Sequence, residues 1–244
     1  MHVIEIDFCD PADAAHALRD LPFVTFLDSS MPDRKLGRYS FIAADPFERI
    51  TADIAGEGWV ARLKSRLAAY QTVSLPGLPP FQGGAAGLFS YELGRSLERL
   101  PAPALNTLAF PDLSLGLYDV VVALDLIERR GFILSTGFPQ TDAPARERRA
   151  IERGHFFETL LQRPPAPSAA ATISLDGWTS NFTRASYERM VHEVIERILS
   201  GDIFQANVAQ RFEAPVPRGF DHFGFYGRLR MLNPAPFSAY LSHT

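Results

Sequence analysis

Two hydrophobic spacings divide the chain into elements. Apolar residues three and four positions apart predict helices over residues 11–19, 59–70, 146–161, 183–199 and 223–232. Alternating or continuous apolar runs predict strands over residues 3–7, 23–27, 37–46, 47–53, 113–126, 132–136 and 236–241. These elements lack the regular spacing of βαβ units, so we expect an α+β fold with largely antiparallel sheets.

A proline- and alanine-rich stretch interrupts this pattern at residues 163–176. Its composition is typical of a flexible surface connection. We therefore predict an amino-terminal lobe over residues 1–162, a linker over residues 163–176 and the start of a second domain over residues 177–244.

The predicted helix over residues 183–199 has an apolar stripe that we expect to lie in a core. The segment that follows this helix carries most of the functional information. Gly201 ends that helix, and side chains alternate over residues 204–212, which predicts a strand. Gln205 and Asn207 would share one face of this strand. Uncharged amides on that face indicate that the strand forms a partly buried wall of a site that binds a polar ligand. Hydrogen bonding of the amides to neighbouring backbone explains them equally well.

Composition and charge exclude several classes of protein. The chain has 244 residues, 46% of them hydrophobic, and a net charge of -4. Its basic residues form no stripe and no apolar run reaches the length of a membrane span, so we expect no nucleic-acid and no membrane partner. The single Cys9 cannot form an internal disulfide, and the charged first residues differ from a signal peptide, so a cytoplasmic protein is expected.

Candidate chemistry at single motifs is sparse. The six histidines are scattered, which predicts no metal site within the chain. The glycine-rich residues 83–87 lack the Gly-Lys-Ser/Thr end of a phosphate-binding loop, so we interpret them as a strand that a neighbour approaches closely. Asp28 and Ser29 are residue types that begin turns after a strand.

Two separated motifs carry a resemblance to a known family. The run Gly201-Asp202-Ile203-Phe204-Gln205-Ala206-Asn207 is followed by Asn233-Pro234-Ala235-Pro236-Phe237-Ser238-Ala239-Tyr240-Leu241. Both resemble the chorismate-utilising enzymes, particularly component I of aminodeoxychorismate synthase and of anthranilate synthase. The segment Leu93-Gly94-Arg95 is similar to the aminodeoxychorismate branch. The resemblance implies two packed, largely antiparallel sheets with helices outside and a fold left incomplete at the carboxyl end.

The resemblance also implies roles for individual residues. Isochorismate synthases of the family activate water with a lysine at the position of Gln205. An amide cannot accept a proton at neutral pH as an amine can, so Gln205 is expected to line the chorismate pocket of an enzyme that admits ammonia. Asn207, one pleat away, is a second candidate.

A tryptophan site, used for feedback inhibition or as a structural ligand, is implied as well. Its residues in this chain would be Leu27, Asp28, Ser29, Pro236, Phe237 and Ser238. Aspartate stands where the family more usually has glutamate, which shortens the reach towards an ammonium group.

The resemblance implies component I of aminodeoxychorismate synthase, a folate-pathway enzyme that aminates chorismate to 4-amino-4-deoxychorismate. Ammonia would come from a glutamine amidotransferase subunit, component II, and Mg²⁺ would be held by residues downstream of residue 244. The 244 residues correspond to the front half of a family member, so we expect this chain alone to be inactive. Anthranilate synthase component I and a non-catalytic tryptophan-binding fragment are the alternatives.

Overall fold

The computed structural model describes residues 1–52, 58–101, 110–163 and 177–243. The chain forms two compact units, one joining Met1–Pro167 to Tyr226–Thr244 and the other comprising Ser168–Phe225. The predicted linker, residues 163–176, lies outside the described residues except for Arg163. Residues 226–244 form part of the first unit, because their strand pairs with a strand of that unit. The predicted domain over residues 177–244 stays a prediction.

Strands and helices alternate irregularly along the chain. The strands are β1 (His2–Ile6), β2 (Val24–Asp28), β3 (Tyr39–Ala43), β4 (Glu48–Ala52), β5 (Gly84–Phe89), β6 (Leu113–Tyr118), β7 (Val120–Asp125), β8 (Arg130–Ser135), β9 (Thr179–Ser180), β10 (Phe212–Glu213) and β11 (Ser238–Ser242). The helices are α1 (Pro11–Leu18), α2 (Trp59–Ala69), α3 (Ala143–Leu161), α4 (Arg184–Leu199) and α5 (His222–Leu232).

Antiparallel pairing organises all the sheets. The first unit contains a six-stranded sheet in the order β1-β8-β7-β3-β2-β11 and a three-stranded sheet in the order β4-β6-β5. Helix α3 lies against β1 and β8, and α1 lies against β2, β3 and α3. The predicted α+β class with antiparallel sheets is confirmed.

Clusters of buried hydrophobic side chains hold the first unit together, and two of them position the sheets. One cluster joins the two sheets and contains Phe23, Ala43, Tyr118, Val121, Ala123, Phe132 and Leu134. The other packs the three-stranded sheet against α2 and contains Ile50, Leu93, Leu113, Leu115 and Leu117, with Trp59 and Leu63 against it. Burial of these large side chains supplies the main driving force for folding.

The glycine-rich run is a strand, β5, as predicted. Gly87 has a φ of +146°, and a Cβ there would lie 2.2 Å from the carbonyl oxygen of Ser114 on β6. Only glycine therefore allows β5 to approach β6 this closely.

The predicted single strand over residues 113–126 is two strands, which belong to different sheets. The chain crosses from one sheet to the other at Asp119, which is fully buried. Asp119 is ion-paired with Arg149 and Arg153 of α3 at 3.2 Å in both cases. A buried carboxylate requires such partners, so the crossing point is tied to α3.

The second unit departs most from the sequence-based prediction. Helix α4 is present and begins with a capping box in which Thr183 and Ser186 bond each other's backbone. Its apolar stripe, however, is not buried by the described residues. The predicted strand over residues 204–212 is wrong, because residues 205–211 are irregular and only β10 pairs, with β9. A strand forms only where a neighbour supplies hydrogen bonds, and the described part of the chain supplies them to two residues here.

Candidate functional site

A cavity of about 620 Å³ opens beside β3, β2 and β11, at one end of the six-stranded sheet. It is lined by Leu27, Asp28, Ser29, Arg34, Lys35, Leu36, Arg38, Tyr39, Phe41, Pro236, Phe237, Ser238 and Ala239. The fold thus brings together all six residues that the resemblance assigns to an effector site, although they lie at opposite ends of the sequence. Their role in binding an effector stays a prediction.

Strand pairing creates this convergence. Strand β2 lies between β3 and β11, with Leu27 opposite Phe41 on one side and opposite Ala239 on the other. Directly opposite residues of antiparallel strands place their side chains on the same face. Leu27, Phe41 and Ala239 therefore form one apolar wall of the cavity.

The loop before β11 is fastened to the end of β2 by serine hydroxyl groups. The Ser29 hydroxyl lies 2.7 Å from the carbonyl oxygen of Tyr39 and 2.9 Å from that of Pro236. Ser30 accepts a hydrogen bond from the backbone N–H of Ala235 at 3.0 Å. These contacts fix the side of the cavity that the Asn-Pro-Ala-Pro motif forms.

Asp28 lies at the edge of the cavity, but its side chain is directed away from it. Its Oδ2 accepts hydrogen bonds from the Tyr226 hydroxyl at 2.9 Å and from Arg230 Nε at 2.8 Å. Its Oδ1 lies 3.2 Å from Arg230 Nη2 and 3.3 Å from the Ser40 hydroxyl. The side chain is fully buried. The carboxylate is therefore neutralised from within the fold.

Burial and the neighbouring Asp28 carboxylate raise the pKa of Tyr226 above its usual range. The pKa of Arg230 is also raised, since its hydrogen bond and charge interaction with Asp28 outweigh the opposing effect of burial. Both groups thus keep their protons and remain donors to Asp28.

Three basic residues of the loop between β2 and β3 are among those that line the cavity. Arg34 and Lys35 are exposed, and Arg38 is half-exposed and donates two hydrogen bonds to Asp125, at 2.7 and 2.9 Å. The exposed Asp33 lies nearby and accepts hydrogen bonds from the backbone of the same loop. Apart from Asp28, no carboxylate is among the residues that line the cavity.

A histidine that sequence reasoning missed connects the two sheets. His243 lies 2.9 Å from the Thr25 hydroxyl and 2.9 Å from the Ser114 hydroxyl, and its ring stacks on Phe23 with centroids 3.9 Å apart. Burial and the nearby Arg49 guanidinium lower the pKa of His243 to about 4. Its partners lie far away in the sequence, so no local pattern could have identified it.

Gln205 and Asn207, the predicted substrate-pocket residues, are exposed in the second unit. Neither lines the cavity of about 770 Å³ in that unit, which is formed mainly by Trp178, Phe212, Phe220 and Phe225 with the prolines between them. Their role in binding chorismate stays a prediction.

The described residues contain no group of three or more histidine, cysteine or acidic side chains placed to hold a metal ion. The Mg²⁺ that the resemblance implies is therefore assigned to none of them. Within the same ranges, no helix has the length and apolar character needed to cross a membrane.

Comparison with known proteins places these features in a family. Residues 25–244 match the model of the chorismate binding enzymes, which covers the whole cavity and both motifs at residues 201–207 and 233–241. The chain belongs to the chorismate-binding enzyme family. The resemblance carried by the two motifs is thereby confirmed.

The relatives of this chain have two different names. It is 32% identical to aminodeoxychorismate synthase component 1 of Salmonella typhimurium over 91% of the chain and 48% of that protein. It is 30% identical to anthranilate synthase component 1 of Streptomyces coelicolor over 96% of the chain and 44% of that protein. The chain thus spans about half the length of the relatives it matches.

Solved structures support the fold. The chain is similar to anthranilate synthase component I from Streptococcus pneumoniae, with a TM-score of 0.61 and 22% identity over 84% of the chain and 47% of that protein. It is also similar to the menaquinone-specific isochorismate synthase of Escherichia coli, with a TM-score of 0.52 and 12% identity over 99% of the chain and 47% of that protein. At these identities the likeness concerns the fold alone.

Proposed function

We propose that this chain works as part of component I of an aminodeoxychorismate synthase, which aminates chorismate to 4-amino-4-deoxychorismate. The observation that carries the proposal is family membership over residues 25–244, together with the name aminodeoxychorismate synthase component 1 that two relatives carry. Because the chain spans about half of those relatives, the activity is proposed for the whole protein. A cytoplasmic location is proposed from the sequence alone.

The proposal includes a partner and a cofactor. Ammonia would be delivered by a glutamine amidotransferase subunit, and Mg²⁺ would assist departure of the ring hydroxyl group. The described residues contain no group of three or more side chains placed to hold that ion, so we assign no step of the reaction to it. Gln205 would act as an uncharged hydrogen-bonding partner of chorismate.

The test is an assay of the whole protein with chorismate, Mg²⁺ and an ammonium salt. We expect 4-amino-4-deoxychorismate as the product, and glutamine should replace ammonium only when the amidotransferase is added. Accumulation of anthranilate, measured by its fluorescence, would instead support the anthranilate synthase alternative. Absence of both products would contradict the proposal.

Two lysine variants test the role of Gln205. Gln205→Lys places an amine where the water-adding enzymes of the family have one, so we expect a loss of amination and the appearance of isochorismate. Ser65→Lys introduces the same charge at an exposed position of α2, outside the predicted pocket, and serves as the control. Equal effects of the two variants would argue against a specific role for Gln205.

A second function, binding of a small effector, is favoured by the convergence of six predicted residues on one cavity of about 620 Å³. Cavities of this size bind drug-sized molecules. Tryptophan is the occupant that the resemblance implies. Calorimetric titration of the chain with tryptophan tests that assignment.

A further inference from the structure

We propose that His2 of β1 and His155 of α3 together bind a divalent transition-metal ion such as Zn²⁺. This site is separate from the Mg²⁺ proposed for the amination of chorismate, and it does not depend on that reaction. His2 lies before residues 25–244, the part of the chain that matches the chorismate binding enzymes. Family membership therefore does not account for a site that includes His2.

The packing of α3 on the six-stranded sheet brings the two imidazole rings together. Strand β1 lies at one edge of that sheet, and α3 lies against it. The ring centroids of His2 and His155 are 5.6 Å apart, and the ring planes are inclined by 59°. Gly154 allows this approach, since a Cβ there would lie 3.0 Å from Cδ2 of His2. The ring of His2 therefore lies directly over the backbone of α3, beside His155.

The separation of the rings suits a shared metal ion. In a tetrahedral site with Zn–N bonds of about 2.0 Å, the centroids of two ligating imidazoles lie about 5 Å apart. The observed 5.6 Å is close to that value, so small rotations of the side chains would bring both rings to an ion. Two rings in simple contact can also have this separation. The hydrogen bonds of each ring decide between the two interpretations.

His155 is oriented in the way that metal-binding histidines are. Its Nδ1 lies 2.9 Å from Oε2 of Glu158. A carboxylate only accepts hydrogen bonds, so Nδ1 carries the proton, and Nε2 of the neutral ring keeps its lone pair. Histidines that bind metals usually donate their other ring N–H to such a carboxylate. Glu158 therefore prepares Nε2 of His155 to act as a ligand.

His2 supplies the second nitrogen. Its Nε2 is buried and has no hydrogen-bond partner within the described ranges. Most buried polar atoms have a partner, so this nitrogen calls for an explanation, and a bound cation would provide one. An ion can reach the rings from outside, because the His155 side chain is 60% exposed and His2 lines a small cavity of about 260 Å³.

The charges around the two rings do not oppose a cation. Glu152 and Glu158 lie one helical turn before and after His155. The nearby guanidinium of Arg153 is ion-paired with Asp45 and with the buried Asp119. The local field therefore favours positive charge at His155.

The donor atoms decide which metal is bound. Imidazole nitrogen suits Zn²⁺, Ni²⁺ and Cu²⁺, whereas Mg²⁺ prefers oxygen ligands. The described residues place no third histidine, cysteine or carboxylate as a ligand there, so water would complete the coordination. The ion would join β1 to α3, and binding should stabilise the first unit because the unfolded chain lacks the site.

Calorimetric titration of the 244-residue chain with ZnCl₂ tests the proposal, with MgCl₂ as the comparison. His2→Asn and His155→Asn should each weaken zinc binding at least about tenfold, and Glu158→Ala should weaken it about tenfold. His192→Asn removes an exposed histidine of α4 and should leave binding unchanged. Zinc at ten times its dissociation constant should raise the melting temperature by about 3 °C or more, and should not do so in the double variant of His2 and His155.

X-ray absorption at the zinc edge provides a readout that needs no variant. We expect two imidazole nitrogens at about 2.0 Å from the ion. The proposal would be overturned by fewer than two imidazoles, by equal zinc affinity of the wild type and the folded double variant, by an equal loss in His192→Asn, or by Mg²⁺ binding as tightly as Zn²⁺. Amination of chorismate is measured separately on the whole protein, so either result can fail without the other.

Discussion

Replacement of Arg230 by methionine tests how strongly the end of β2 depends on the buried ion pair. Arg230 is the only charged partner of Asp28 among the described residues, and the Asp28 side chain is fully buried. Removal of one partner from a buried pair costs about 3–5 kcal/mol, because the other charge stays in a poorly solvated place. Tyr226 and Ser40 would still donate to the carboxylate. We therefore expect a loss of about 3 kcal/mol in the free energy of unfolding, at the low end of that range.

Urea unfolding followed by tryptophan fluorescence measures this loss in the first unit. The chain has two tryptophans, Trp59 in the first unit and Trp178 in the second, so a Trp178→Phe background leaves Trp59 as the single reporter. Arg130→Met is the matched control, since its ion pair with Glu5 is half-exposed on both sides and should contribute under about 1 kcal/mol.

The double variant Asp28→Asn with Arg230→Met completes the experiment. An uncharged amide at position 28 no longer requires a cation, so the double variant should recover at least about half of the loss caused by Arg230→Met. Equal stability losses for Arg230→Met and Arg130→Met, or no recovery in the double variant, would refute the reasoning.

Two further predictions concern His243, which connects the two sheets, and Gly87, where β5 approaches β6. The pKa of His243 is lowered from 6.5 to about 4 in the folded chain. Between pH 6.5 and pH 4 the imidazole is therefore protonated in the unfolded chain and neutral in the folded chain. Stability should therefore fall as the pH is lowered from 6.5 to 4, by about 2 kcal/mol once solvent screening is allowed for. His243→Phe keeps the ring on Phe23 and should flatten this part of a series of urea unfolding curves; an unchanged slope would contradict the assignment. Gly87→Ala should lower the melting temperature by several degrees, because the added Cβ would clash with the Ser114 carbonyl oxygen. Gly94→Ala is the control, since a Cβ at that position has no neighbour within 4 Å. Equal melting temperatures of the two variants would show that β5 can move away from β6.

The elements that sequence reasoning found correctly are those with local determinants. Helix α1 begins where Asp10 accepts a hydrogen bond from the Ala12 N–H at 2.8 Å and Pro11 occupies the first turn. Helix α4 begins at a capping box within four residues. Such signals lie inside the element itself, so one sequence is sufficient to recognise them.

The features that it missed depend on partners distant in the sequence. The division of residues 113–126 into two strands follows from Asp119 and its ion pair with Arg153, 34 residues away. The irregular state of residues 205–211 follows from the shortness of the neighbouring strand, β9. Side-chain alternation predicts that a segment can form a strand, but a partner decides whether it does.

The six residues of the predicted effector site line one cavity, and their role in binding a ligand stays a prediction. The resemblance assigned the neighbouring residues Asp28 and Ser29 to one binding site, yet successive residues of a strand face opposite sides of a sheet. In the structure Ser29 holds the loop before β11, and Asp28 holds α5 through Arg230. Both polar side chains therefore stabilise the walls of the cavity, and the charge available to a ligand is the positive charge of the three basic residues that line it. An arginine outside the motif, Arg230, thus neutralises the carboxylate that the motif supplies.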